Sequence, residues 1–298
     1  MSFDLKKGQT IGLVGETGAG KTSIALAVMG LLPEPPARIT SGEILYNGKN
    51  VFEMSAKERT GLRGNSISMI FQDPMTSLNP IETVGSQIEE VILNHHKMNR
   101  SQARQEALEK LEMVGIAGER FDEYPHQFSG GMKQRIVIAI ALACNPDLLI
   151  ADEPTTALDV TIQAQILQLI NRLKKEKNTS NIMITHDLGV IAMMCDEVAV
   201  VYAGQIIEKG TLKQIFNTPT HPYTKGLFQA LPDINDSKKK RLTPIKGLMP
   251  DPAKLPEGCA FAPRCLECSQ ACSQKPVELE DIGEGHLVRC LRCTSGEK

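Results

Sequence analysis

The chain has 298 residues, 41% of them hydrophobic, and a formal net charge of −2 from 33 Lys and Arg against 35 Asp and Glu. That length allows one large domain or two smaller ones with a sizeable core, and the near balance of charge argues against a nucleic-acid binder, which carries a basic patch or stripe. No stretch reaches the ~18 unbroken apolar residues of a membrane-spanning helix, and Met1-Ser2-Phe3-Asp4 has no signal-peptide pattern, so the chain is expected in the cytoplasm, meeting a membrane only through a partner.

In chain order, Thr10 to Gly15 reads as a short buried strand, followed by a glycine-rich turn and a helix from Lys21 to Leu32 that Pro33, Pro35 and Pro36 end. Residues 41–52 read as paired strands around Asn47-Gly48, a strong hairpin signal. Ser66 to Phe71 is another strand. From about Val84 to Ala143 the pattern is helical: Ser101 is the expected N-cap, and Ala103, Ala107, Leu108, Leu111 and Val114 recur at helical spacing. The longest apolar run, Ile136 to Cys144, fits a buried helix. Leu148 to Ala151 is a buried strand, Val160 to Leu173 an amphipathic helix, Asn181 to Thr185 a strand, Leu188 to Met194 a helix and Val198 to Tyr202 a strand. Strands alternating with helices imply a mostly parallel sheet covered on both faces, with 84–143 as a helical insertion. A polar linker, Asp233 to Lys240, precedes a Pro- and Cys-rich tail.

Gly15-Glu16-Thr17-Gly18-Ala19-Gly20-Lys21-Thr22 matches the phosphate-loop pattern, with a strand before it and a helix after it. Its glycines let the backbone close around phosphate, and successive N–H groups and the helix N-terminus face the negative charge. Ser23 follows as part of the same nucleotide-binding segment. Lys21 is expected on the β- and γ-phosphates and the Thr22 hydroxyl on Mg²⁺. The strand Leu148 to Ala151 ends in Asp152 and Glu153. Acids at the carboxyl end of such a strand lie at the ligand crevice. One carboxylate must stay on the metal, so the roles divide: Asp152 on Mg²⁺, Glu153 on the attacking water.

Further pieces carry a family resemblance. Phe128-Ser129-Gly130-Gly131-Met132-Lys133-Gln134-Arg135 resembles the ABC signature, Phe71-Gln72-Asp73-Pro74 the Q-loop, Ala157-Leu158-Asp159 the D-loop, and His186 the switch histidine. Taken in order with the phosphate loop and the paired acids, they resemble a complete ABC ATPase cassette over about residues 1–230. The resemblance implies a P-loop NTPase fold of the ABC type, with a mostly parallel sheet, a helical insertion subdomain and a small Cys-rich C-terminal extension over 231–298. It implies ATP and Mg²⁺ as ligands, with Gln72 sensing the metal and the water, and His186 contacting the γ-phosphate. Ser129, Gly130, Gly131 and Gln134 would act on the ATP of a second cassette, beside the D-loop residue Asp159.

Asp73-Pro74-Met75-Thr76-Ser77-Leu78-Asn79-Pro80, Thr220-His221-Pro222-Tyr223-Thr224 and the tail are similar to the ATPases of dipeptide, oligopeptide and nickel importers. Peptide is the first expectation and nickel the second. The implied partners are a second ABC ATPase subunit, expected to be a related but different chain, two membrane permease subunits and, indirectly, an external solute-binding protein, at the cytoplasmic face of the cell membrane. A soluble ABC protein acting on ribosomes or DNA is the alternative from another class. It is disfavoured by the single cassette and the lack of a basic arm. A regulatory, non-hydrolysing cassette is disfavoured by Glu153 and His186.

Two expectations concern the chain's ends. The resemblance implies two or more strands, with an aromatic residue that stacks on adenine, ahead of Lys6-Lys7-Gly8, whereas only Phe3 is aromatic there. Either the start lies upstream, or the base is held without a stacking contact of ~1–3 kcal/mol. Among the cysteines, Cys144 and Cys195 read as core thiols, while Cys259, Cys265, Cys268, Cys272, Cys290 and Cys293 crowd the tail. In a reducing compartment this suggests metal before disulfides. By spacing, Cys265-x-x-Cys268 with Cys290-x-x-Cys293 resembles a zinc ribbon. The family resemblance instead implies Cys259, Cys265, Cys272 and Cys290 as ligands of a 4Fe-4S cluster, with Arg264 fitting its Pro-Arg-Cys pattern. Zinc, and free or disulfide-linked thiols, remain alternatives.

Overall fold

A computed structural model describes residues 1–156, 158–230, 244–251 and 254–294. Its strands are β1 (Thr10–Val14), β2 (Leu45–Tyr46), β3 (Lys49–Asn50), β4 (Ile67–Ile70), β5 (Leu148–Asp152), β6 (Ser180–Ile184), β7 (Glu197–Tyr202), β8 (Gln205–Thr211), β9 (Glu280–Asp281) and β10 (Leu287–Val288). Its α-helices are α1 (Lys21–Met29), α2 (Ala56–Leu62), α3 (Pro74–Ser77), α4 (Val84–His95), α5 (Arg100–Met113), α6 (Gly130–Ala141), α7 (Val160–Lys177), α8 (Leu188–Met194), α9 (Leu212–Asn217), α10 (Pro222–Gln229), α11 (Gln270–Gln274) and α12 (Leu291–Thr294). No helix among the described residues is long and apolar enough to cross a membrane. The chain forms two compact units: Met1–Asp4, Ile11–Lys21 and Thr185–Lys298 make one, Leu5–Thr10 and Thr22–Ile184 the other.

In the second of these, β4, β5 and β6 run parallel, with Ile67 opposite Leu148 and Leu148 opposite Ser180. Every residue of β4 and β6 is buried. Burial along the whole strand, with Ser68, Ser180 and Asn181 among the buried residues, marks strands covered on both faces. The predicted hairpin forms, reduced to β2 and β3. Asn47 and Gly48 both take positive φ, 50° and 79°, as a two-residue turn of the primed type demands. α1 ends at Met29, three residues earlier than predicted, because Gly30 at φ 61° takes the left-handed conformation that closes helices.

The helical insertion is α4, α5 and α6. The N-cap of α5 is Asn99 rather than the predicted Ser101. Asn99 accepts from Gln102 N–H, and the Gln102 side chain accepts from Asn99 N–H, a reciprocal box that Ser101 cannot offer from inside the first turn. Ala103, Ala107 and Leu111 are fully buried at spacing i, i+4 and i+8. Gly85 of α4 lies against the Phe121 ring: a Cβ there would stand 2.2 Å from a ring carbon. Lys110 closes the insertion by donating to Leu142 O at 3.2 Å and Asn145 Oδ1 at 2.9 Å.

In the other unit, β1 and β7 are parallel, with Val14 opposite Val200. β7 and β8 form an antiparallel hairpin, turning at Ala203 and Gly204 with φ 45° and 77°. β8 continues antiparallel to β10, and β10 to β9. The sequence reading stopped at β7 and missed β8, in which Glu208 and Lys209 interrupt the apolar run. The expected C-terminal extension supplies β9 and β10 to this sheet. The predicted linker 233–240 and Ala157 of the D-loop lie outside the described residues. Cys144 and Cys195 are buried, as expected of core thiols.

Candidate active site

The phosphate loop leaves β1 at Val14 and enters α1 at Lys21. Gly15 is obligatory, because a Cβ there would lie 2.1 Å from Val201 O, a backbone atom that has nowhere to go. Gly18 and Gly20 take φ 83° and 98°, open to glycine and strained for other residues. Ala19 O accepts from Gly204 N–H at 2.9 Å, which ties the loop to the β7–β8 turn. The buried Lys21 Nζ donates to Gly15 O at 2.7 Å and Glu16 O at 3.0 Å, curling the loop around its own cation. Glu16 is bound from outside the loop: its N–H donates to Tyr223 Oη at 2.9 Å and its carboxylate accepts both terminal nitrogens of Arg264. Burial pushes the Tyr223 phenol above its ordinary value, so it stays protonated. His186 is exposed in the same unit, and Asp187 caps α8 by accepting from Gly189 and Val190 N–H.

In the other unit, Thr22 and Ser23 are exposed at the start of α1. Asp152 ends β5, 3% exposed. Glu153 follows at φ 46°, a strained conformation for a residue with a side chain. Its N–H is held by Ile184 O at 2.8 Å. Glu153 Oε2 accepts from Gln72 Nε2 and from Thr156 Oγ1, each at 2.9 Å. The two predicted catalytic residues of this unit, Gln72 and Glu153, are thus in contact. Thr156 is a third member that no pattern singled out.

Ser129 caps α6 by accepting from Met132 N–H at 3.4 Å, and Ser129 and Gly130 are exposed. Gly131 is close-packed, since a Cβ would meet Ile162 Cγ2 of α7 at 2.6 Å. Gln134 differs from the other three signature residues. It is 1% exposed, and its amide donates to Pro154 O at 2.6 Å, next to Glu153 in its own chain. Asp159 caps α7, accepting from Ile162 N–H at 3.0 Å.

Cys259, Cys265, Cys272 and Cys290 all line one pocket, together with His221 and Phe261. Cys268 and Cys293 do not line it: Cys268 Sγ is exposed near Ser269 O at 3.4 Å, and Cys293 Sγ reaches Thr220 O at 3.6 Å. Burial pushes the Cys265 thiol up to about 11, while a hydrogen bond from Cys293 holds Cys290 down at about 6. Among the described residues, no three His, Cys, Asp or Glu side chains converge closely enough to hold a metal ion.

Comparison with known proteins identifies the family. Residues 1–156 match the ABC transporter family, and residues 207–272 match the C-terminal region of oligopeptide/dipeptide transporters. The chain is 53% identical over 292 residues to the dipeptide transport ATP-binding protein DppD of Bacillus subtilis, covering 97% of this chain and 87% of that protein. It is 50% identical to the oligopeptide transport ATP-binding protein OppD of the same organism (97% and 81% covered). With OppD of Salmonella typhimurium it shares 48% (98% and 87%). Among solved structures it superposes on the dimeric ATP-binding cassette MJ0796 in a post-hydrolysis state with ADP and Pi, at a TM-score of 0.62 and 28% identity over 70% of this chain and 88% of that one. For cbiO1 of Clostridium perfringens the TM-score is 0.65, at 30% identity over 73% and 83%. The family match over more than half the chain and the near-complete alignment to these relatives lead to one conclusion: the chain belongs to the ABC transporter family of ATP-binding proteins, in the group that carries the oligopeptide/dipeptide transporter C-terminal region.

Proposed function

We propose that this ATPase drives import of dipeptides or short oligopeptides through an ABC transporter, seated peripherally at the cytoplasmic face of the cell membrane on two permease subunits and paired with a second ATPase subunit. The observation that carries the hydrolytic reading is the Glu153 carboxylate, held by Gln72 and Thr156 directly after the buried Asp152. The substrate class rests on the relatives, whose names concern dipeptide and oligopeptide transport. They favour peptide over nickel, and a transporter over a soluble protein of ribosomes or DNA.

In this reading residues 1–230 are the ATPase portion, with 84–143 its helical subdomain, and 231–298 the extension. Residues Gly15 to Ser23 cradle the phosphates, with Lys21 as their cation and backbone N–H groups at the start of α1 facing them. Thr22, Asp152 and Gln72 offer the hard oxygen donors that suit Mg²⁺. When bound, the metal supplies charge neutralisation on the β- and γ-phosphate oxygens. Glu153 orients the attacking water and takes its proton, Gln72 steers that carboxylate, and His186 contacts the γ-phosphate. Ser129, Gly130 and Gly131 grip the ATP of the second subunit, Asp159 lies beside them, and Gln134 braces the Glu153 turn from within.

For the tail we assign Cys259, Cys265, Cys272 and Cys290 as ligands of a 4Fe-4S cluster, with zinc as the second reading. Four soft thiolates suit either, and these four line one pocket that Cys268 and Cys293 do not line; holding the group requires them to draw closer than they stand here. When bound, the group supplies a covalent tie between segments of the tail.

Calorimetry of the full chain carrying Glu153→Gln tests the ATPase reading. Saturable MgATP binding is expected, and a folded protein that binds none contradicts it.

A further inference from the structure

Glu16 is the second residue of the phosphate loop, and it is held at three chemically distinct points. Its carbonyl oxygen accepts from Lys21 Nζ at 3.0 Å, its N–H donates to Tyr223 Oη at 2.9 Å, and its carboxylate takes a two-pronged grip from Arg264, NH1 to Oε2 at 2.7 Å and NH2 to Oε1 at 3.0 Å. Arg264 lies 248 residues further along the chain. Its side chain is only 5% exposed, and its other contacts fix it in place. Nε donates to Lys246 O at 3.0 Å, NH1 also reaches Tyr202 Oη at 3.3 Å and NH2 reaches Ile245 O at 3.5 Å. Five donors in a planar fork meet five acceptors. Tyr223 is fully buried and packs edge-on against Tyr202 and Phe261, with ring centroids 4.7 and 5.4 Å away.

We propose that Arg264 and Tyr223 are positioning residues for the phosphate loop: Arg264 of the extension and Tyr223 of α10 clamp Glu16 and thereby set the affinity of the chain for MgATP. This rests on the ATPase reading above. The physical route is short. The lysine that meets the phosphates lies against the carbonyls of Gly15 and Glu16, so the position of Glu16 is part of the position of Lys21. Tyr223 engages the Glu16 N–H, which fixes the plane of the Gly15–Glu16 peptide, and Arg264 prevents the residue from rotating out. A pair that merely glued the tail to the core would land anywhere on the surface of that unit; this one lands on the loop residue that carries the Lys21 contact.

The test is MgATP calorimetry on full-length chains in a Glu153→Gln background, comparing Glu16→Gln, Arg264→Met, Tyr223→Phe and the double variant Glu16→Gln/Arg264→Met. Charge-assisted hydrogen bonds of this type predict affinities about tenfold weaker for Glu16→Gln and for Arg264→Met. Tyr223→Phe is weaker in the same direction, and the double variant is no worse than either single one. Arg264→Lys, lacking the fork, restores only part of the loss. In the hydrolysing background Arg264→Met and Tyr223→Phe raise KM for ATP by the same factor while kcat stays within about twofold. Affinities unchanged in the variants, or a double variant whose losses add, overturn the proposal. If Arg264→Met does not fold, Glu16→Gln decides alone, since it alters a part-exposed carboxylate and leaves the cysteine pocket intact. A parent protein that binds no MgATP overturns the ATPase reading and this one together; a parent that binds, with Glu16→Gln unchanged, overturns only this one.

Discussion

Gln72 and Glu153, 81 residues apart, are joined by a hydrogen bond of 2.9 Å from Nε2 to Oε2. The same oxygen accepts from the Thr156 hydroxyl. The carboxylate proposed to take a proton from water is thus held and oriented by two donors. Moving Gln72 changes its direction.

Replacing Glu153 with Gln keeps the shape and removes the base. A positioned general base contributes about 10²–10⁴-fold, so steady-state ATP hydrolysis is expected to fall by about that factor while MgATP affinity stays near that of the unaltered chain. A phosphate-release assay beside calorimetry separates the two quantities, and hydrolysis that survives the substitution removes Glu153 from the mechanism.

Gln72→Ala and Thr156→Val test the donors. Each leaves the acid in place, so each is expected to slow hydrolysis by less than Glu153→Gln does, about tenfold for a lost hydrogen bond to a charged group. Rates indistinguishable from the unaltered chain would show that the contact is incidental.

Gly131 gives a packing test of the signature helix. A Cβ there meets Ile162 Cγ2 at 2.6 Å, and overpacking of this kind costs about 1–3 kcal/mol. Gly131→Ala is expected to lower the melting temperature, and adding Ile162→Ala, which clears the space, to restore most of it. A single variant as stable as its parent would mean that α6 and α7 can part at no cost.

The cysteine set is tested by metal analysis of the purified chain. Cys272→Ser is expected to lose the metal and Cys268→Ser to keep it, because only Cys272 lines the shared pocket. The reverse pattern identifies the zinc-ribbon quartet instead.

These tests also mark where sequence patterns carry a reader and where they stop. The phosphate loop, the paired acids and the signature were legible because each is a local string whose chemistry fixes its spacing. β1, β4 and β6 were legible as short, mostly apolar stretches bounded by turn residues. The sequence points to Ser101 over Asn99 because the two are close neighbours and only the reciprocal bond with Gln102 separates them. β8 was missed because Glu208 breaks its apolar run; that carboxylate is fully buried, accepting from Thr220 N–H, His221 N–H and the His286 ring. Thr156 stands outside the recognised strings. Arg264 and Tyr223 meet Glu16 only after the chain has folded back over 248 and 207 residues, a distance no local pattern spans.

The central claim is that ATP hydrolysis at Glu153 powers peptide uptake, and the most direct measurement is transport itself. Membrane vesicles carrying the permease subunits, the second ATPase and this chain, supplied with the binding protein and a labelled dipeptide, should accumulate label when MgATP is present on the side of the ATPases. With Glu153→Gln in this chain, accumulation should fall sharply, at least about tenfold. Uptake that proceeds equally with the altered chain, or without MgATP, would contradict the account.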